Sequence, residues 1–191
     1  MNQVQKRLFI ALPVDDEAAV KSLGTFYSGL DRFGREVKTV ERENLHITLK
    51  FLGNVEVTKA LEIARSFPSI AKMKKIPYTL KGAGCFPSIS SPSVIWAGVE
   101  CDMSKMSALF GDVESFCSSY GFEREKREFI PHLTIARVKR GRSISPGLKS
   151  CIKSFGEHLF AETVFDRVVL FESHLKREGP EYEKLSEVIL Y

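Results

Sequence analysis

One four-residue word occurs twice in this chain and fixes the local geometry wherever it falls. His46-Ile47-Thr48-Leu49 lies in the first third, and His132-Leu133-Thr134-Ile135 in the last. Each alternates polar and apolar residues, the period of a half-buried β-strand. Leu45, Ile47, Leu49 and Phe51 fall on one face, and His46, Thr48 and Lys50 on the other. The second word sets Phe129, Leu133 and Ile135 against His132, Thr134 and Ala136. Each strand thus carries an imidazole beside a hydroxyl, with apolar side chains behind. Two such strands face to face would line a cleft with two titratable groups and two hydroxyl donors.

The rest of the chain narrows the class. At 191 residues it has enough length for a real core, as one domain or two joined lobes. No apolar run approaches the roughly 18 residues that span a bilayer. The first residues lack the apolar stretch of a signal peptide, because Pro13 and the acids Asp15 to Glu17 interrupt it. A cytoplasmic protein with no membrane association is expected. Cys85, Cys101, Cys117 and Cys151 form no Cys-x-x-Cys pair and read as reduced thiols. The net charge of +4 is mildly basic. Arg124, Lys126, Arg127, Arg137, Lys139, Arg140 and Arg142 cluster around the second word, and Lys72, Lys74 and Lys75 form a smaller group.

Periodicity orders the elements. Strands are expected over Lys6 to Pro13, Val37 to Val40 and Leu45 to Leu52, the last stopped by Gly53-Asn54. Further strands are expected over Ile76 to Gly82, Ser93 to Val99 and Phe129 to Val138. Gly84 to Pro92 reads as a turn-rich link. Two closing strands, Thr163 to Leu175 and Tyr182 to Leu190, flank the turn Arg177-Glu178-Gly179-Pro180. A helix capped by Asp15 or Asp16 carries the stripe Ala19, Leu23, Phe26, Leu30 and Phe33 and closes at Gly34. Val57 to Ala71 is a second helix, ended or bent by Pro68. A third opens at Asp102 or Ser104 and ends at Gly121, and Ser145-Pro146 opens a fourth over Leu148 to Phe155. Each half repeats strand, helix, His-x-Thr strand, helix, strand, strand. The expected fold is α+β and bilobal: duplicated β-α-β-β-type halves, with two antiparallel sheets flanking a central groove about a pseudo-two-fold axis. Residues 1–191 form a single domain in this reading.

Two imidazoles of ordinary pKa, about 6.5, can divide acid and base work near neutral pH. One takes a proton from water and the other gives a proton to a departing alkoxide. Threonine hydroxyls can donate to non-bridging phosphate oxygens. That chemistry requires no metal and no cofactor. A zinc site needs three or four ligands, and no third one stands at local spacing. His158 and His174 lack the following Thr and read as ordinary surface or core histidines.

These words and their surroundings resemble the 2H phosphoesterase superfamily and, within it, the RNA 2′,3′-cyclic phosphodiesterases, also called 2′-5′ RNA ligases. The resemblance rests on Arg7-Leu8-Phe9-Ile10-Ala11-Leu12, Leu45 through Gly53, Val94-Ile95-Trp96-Ala97-Gly98-Val99, and Pro131 through Arg137. It implies hydrolysis of a terminal 2′,3′-cyclic phosphate to a 2′-phosphomonoester, with reversible 2′-5′ ligation. His46 is then the general acid, His132 the general base, and Thr48 and Thr134 hold the phosphate. It implies a monomer acting on RNA with a cyclic phosphate end, tRNA fragments included.

Arg137 is the further phosphate or ribose contact that the resemblance implies. Strict alternation puts it on the face opposite His132. The strand is twisted or bulged there, or Arg137 reaches around the edge, or its role is structural. Its counterpart in the first word is Phe51. Lys50, Phe9 and Phe86 complete the substrate-binding candidates, the two aromatics as stacking partners for a base. Phe9 and Trp96 also suit the core. A cyclic phosphodiesterase for a small nucleotide and a non-catalytic RNA-end-binding module are the alternatives. Intact His and Thr in both words oppose the latter.

Overall fold

Apolar alternation produces two antiparallel sheets, seen in a computed structural model that describes residues 5–70, 73–141, 143–176 and 179–191. The strands are β1 (Gln5–Pro13), β2 (Val37–Thr39), β3 (His46–Glu56), β4 (Ile76–Phe86), β5 (Val94–Cys101), β6 (His132–Val138), β7 (Leu159–Phe165), β8 (Arg167–Leu175) and β9 (Pro180–Ile189). The helices are α1 (Glu17–Ser22), α2 (Gly24–Asp31), α3 (Val57–Ser66), α4 (Met103–Ser119) and α5 (Pro146–Ser154). The first sheet has the order β3-β1-β8-β9 and the second β2-β6-β5-β4-β7.

The duplication is interleaved. The pair β3-β1 in one sheet matches β6-β5 in the other. Each pair is then extended by a strand from the opposite half, β8 beside β1 and β4 beside β5. One continuous cluster of buried apolar residues joins the sheets and helices. Ile47, Leu49, Leu133 and Ile135 all lie in it, so the apolar face of both words is core.

Side-chain caps start three helices. Asp16 Oδ1 accepts the Ala19 N–H at 2.8 Å, Asp102 accepts from Ser104 and Lys105, and the Ser145 hydroxyl accepts from Leu148. Pro68 ends α3 in a short 3₁₀ turn.

Several boundaries move for local reasons. The expected first helix breaks at Leu23, whose ψ of −7° flattens the turn ahead of Gly24, a weak helix former. β3 passes Gly53-Asn54 to Glu56, because Gly53 takes φ +69° where the pairing to β1 slips. β4 likewise runs on to Phe86, so the turn-rich link shrinks. The second word's strand begins at His132 rather than Phe129, since Pro131 offers no N–H to a ladder. The stretch Thr163 to Leu175 divides at Asp166 into β7 and β8, which belong to different sheets. Ala71, Lys72, Arg142, Arg177, Glu178 and the first four residues lie outside the described residues.

Candidate active site

β3 and β6 meet across the groove between the sheets, with Cα atoms approaching within 8 Å. A cavity of about 110 Å³ is lined there by His46 and Thr48 from β3, Thr134 and Arg137 from β6, and Lys38 and Tyr182. His132 stands on the same face of β6, two residues before Thr134, although it does not line this cavity.

A shared irregularity shapes both words. Thr134 pairs with Trp96 and Ala136 with Ile95, which leaves Ile135 as an extra residue. Thr48 pairs with Ala11 and Lys50 with Ile10, which leaves Leu49 extra. Each word thus carries a β-bulge at its fourth, apolar residue. The bulge reverses the alternation beyond it. Ile135 and Ala136 are both buried, and Arg137 returns to the groove face with His132 and Thr134. This selects the bulge among the three routes open to Arg137. By the same slip Phe51 pairs directly with Phe9 and joins the groove face of β3.

Both histidines are oriented by the backbone just upstream. His46 Nδ1 lies 2.7 Å from the Asn44 carbonyl oxygen, and His132 Nδ1 lies 2.8 Å from that of Ile130. A carbonyl only accepts, so each Nδ1 carries the proton and donates it. Nε2 is left on both rings for proton transfer.

The surroundings of the two rings differ. His46 lies 5.0 Å from the Phe9 ring and 5.3 Å, edge-on, from Tyr182. Burial is the main reason its pKa falls to about 4; the bond to Asn44 opposes this, and the positive charge of Arg137 and the neighbouring His132 add to the lowering. His132 has one aromatic neighbour among the described residues, Phe86, edge-on at 5.0 Å. Burial also raises the pKa of the Tyr182 phenol.

The other sequence candidates fare differently. Phe86 is half-buried beside His132. Phe9 is only 2% exposed and backs His46, so a base has no open ring face to stack on. Lys50 is drawn away from the cavity: its ammonium lies 2.8 Å from a Glu114 oxygen and donates to the Glu123 carbonyl at 2.6 Å. Trp96 is on the groove face rather than in the core, opposite Thr134 and flat against Gly84. A methyl at Gly84 would overlap the indole. The basic run also separates, because Lys139 donates to the Gly34 carbonyl and, among the described residues of that run, only Arg137 lines the cavity.

Sequence reasoning missed Tyr182 and Glu114. Tyr182 reaches the site only because β9 closes the first sheet. Glu114 carries a signal, since it occupies an apolar-phase position of α4, four residues after Phe110 and three before Cys117. Among the described residues, the one group offering three ligand atoms within 4.8 Å is Glu172, His174 and Glu183, which includes neither word histidine. Glu172 already pairs with Lys6.

Known proteins share this layout. A family model described as LigT-like phosphoesterase matches residues 14–96 and 99–182, each segment holding one word. The RNA 2′,3′-cyclic phosphodiesterase of Aeropyrum pernix is 37% identical over 155 residues, covering 81% of this chain and 87% of the relative. That of Methanocaldococcus jannaschii is 35% identical, covering 95% of this chain and 99% of the relative. The crystal structure of TT0787 from Thermus thermophilus superposes with a TM-score of 0.75 at 25% identity, covering 96% of this chain and 97% of that one. E. coli LigT in its apo form has the same fold, with a TM-score of 0.73 at 22% identity over 97% of this chain and 98% of that one. The chain belongs to the LigT-like phosphoesterase family.

Proposed function

We propose that the groove hydrolyses 2′,3′-cyclic phosphate ends of RNA to 2′-phosphomonoesters without a metal ion. One observation carries this reading: two His-x-Thr strands from opposite sheets converge, with each histidine tethered at Nδ1 so that Nε2 is free. Water attacks phosphorus and His132 Nε2 takes its proton. The 3′-oxygen leaves with a proton from His46 Nε2. Thr48, Thr134 and Arg137 hold the non-bridging oxygens as charge develops.

The division of labour comes from the family resemblance. It requires a proton on His46, which is neutral at neutral pH in the free protein. An anionic phosphate beside the ring favours the imidazolium, so substrate binding and protonation of His46 are coupled. The names of the relatives support an RNA substrate; tRNA fragments are the source of cyclic ends this proposal adds. Run backwards from a 2′-5′ linkage, the same in-line chemistry forms the cyclic end, and its reversal is ligation. Both lobes contribute a histidine to one groove, so the two act here as one unit; the proposal takes it as a cytoplasmic monomer.

A substrate with sulfur in place of the bridging 3′-oxygen tests the assignment. A thiolate leaves without a proton, so the defect of His46→Ala shrinks on this substrate and that of His132→Ala does not. Equal rescue of both variants, or rescue of His132→Ala alone, overturns the roles.

A further inference from the structure

The cavity at the His46 end of the groove carries a pairing that the proposed reaction leaves unused. Lys38 of β2 sits directly opposite Arg137 of β6, and both line the cavity. Like charges set opposite one another across two strands are destabilising, and an anion held beside them relieves that cost. Lys38 meets Glu41 at 3.8 Å, a long pair with both side chains open to water, so a phosphate can displace the carboxylate at little cost. Lys38 and Arg137 against Glu41 leave the lining with one positive charge in excess. A second cavity, of about 220 Å³, shares Asn44, His46 and Tyr182 with the first. Its charges cancel, with Asp15 and Glu43 against Arg167 and Lys184. Arg167 is paired there with Asp15 and Asp166, and Lys184 with Glu187 at 2.9 Å. The excess charge therefore lies on the Lys38 side.

Arg137 is engaged with the reacting phosphate, which leaves Lys38 for another anion. The order of the ribose carbons identifies it. His46 protonates the leaving 3′-oxygen, and the C4′–C5′ arm adjoins C3′ rather than C2′. The phosphate on the 5′-oxygen therefore falls at the His46 end, where Lys38 lies one strand beyond Arg137, about 5 Å away. We infer that Lys38 is the contact for the phosphate on the 5′ side of the cyclic end's ribose. That phosphate is the linkage to the preceding residue in an oligonucleotide and a monoester in a 5′-phosphorylated mononucleotide. This subsite rests on the phosphodiesterase reading and its role for His46, and it makes a second phosphate a determinant of substrate choice.

The test compares a nucleoside 2′,3′-cyclic phosphate bearing a free 5′-hydroxyl with the same compound bearing a 5′-phosphate. The wild type has a kcat/KM about tenfold higher on the 5′-phosphorylated one, the lower end for a charged hydrogen bond because Lys38 is half-exposed. Lys38→Gln brings this ratio near one, with the loss falling on the 5′-phosphorylated substrate, and Lys38→Arg keeps the ratio. On a cyclic-ended dinucleotide, Lys38→Gln reduces the salt slope of binding by about 0.7, and an uncharged methylphosphonate linkage removes that effect. A wild-type ratio near one, equal losses on both substrates, or a ratio abolished by Lys184→Gln but not by Lys38→Gln overturns the subsite. If the wild type turns over neither substrate, the phosphodiesterase reading itself fails. Calorimetric titration with adenosine 2′,5′-bisphosphate and adenosine 2′-phosphate then still decides the subsite. Tighter binding of the bisphosphate that disappears in Lys38→Gln supports it, and equal or absent binding rejects it.

Discussion

Lys50 and Glu114 form an ion pair almost closed to water, with Nζ 2.8 Å from one carboxylate oxygen and 3.0 Å from the other. It joins β3, just past the first His-x-Thr word, to α4. Glu114 also accepts the Glu125 N–H, and Lys50 donates to the Glu123 carbonyl. One buried pair therefore pins the loop that runs into His132.

Removing one partner leaves the other charge buried alone. Glu114→Ala is expected to cost about 3–5 kcal/mol, measured by urea unfolding, and the double variant Lys50→Met/Glu114→Leu to recover most of it. Lys50→Met is expected to keep near-normal turnover of a cyclic mononucleotide. A hundredfold loss with unchanged stability would restore Lys50 as a substrate contact.

Gly84 gives the Trp96 indole its place, and Phe86 packs on Trp96 at 5.3 Å and on His132. Gly84→Val is expected to displace this aromatic stack and lower kcat at least tenfold while the fold is retained, read by steady-state kinetics and circular dichroism.

The aromatic enclosure of His46 is testable by NMR titration. Its imidazole is expected to titrate near pH 4, with the proton on Nδ1 in the neutral form. Tyr182→Ala opens the ring to water and moves the midpoint up toward about 6.5. A wild-type midpoint already near 6.5 contradicts the enclosure.

The same shift links stability to pH. Between about pH 4 and 6.5 the unfolded chain binds more protons at His46 than the folded one. Stability therefore falls as pH drops through this window, by on the order of 3 kcal/mol in total, and flattens below it. His46→Gln removes this slope. Its Tm relative to wild type is expected to be higher at pH 5 than at pH 8, by calorimetry.

Much of this was legible in the chain. Alternation placed Ile47, Leu49, Leu133 and Ile135 in the core and His46, Thr48, His132 and Thr134 in the groove, because a period of two is a local property. Strict alternation misplaced Arg137, since a bulge at Ile135 depends on pairing with β5. Lys50 was misplaced in the same way, because the bulge at Leu49 turns it off the groove face, whereas Phe9 keeps to that face beside His46. Their burial depends on Phe171, Tyr182 and Glu114, which arrive from distant parts of the chain. Tyr182 itself had no local signal.

The most direct test follows the products from a cyclic-phosphate-ended oligoribonucleotide, in EDTA, by ³¹P NMR. The account predicts a 2′-phosphomonoester from the wild type and rates at least 10²-fold lower from folded His46→Ala and His132→Ala. A 3′-phosphomonoester, loss of activity in EDTA, or a near-normal rate from either variant would contradict it.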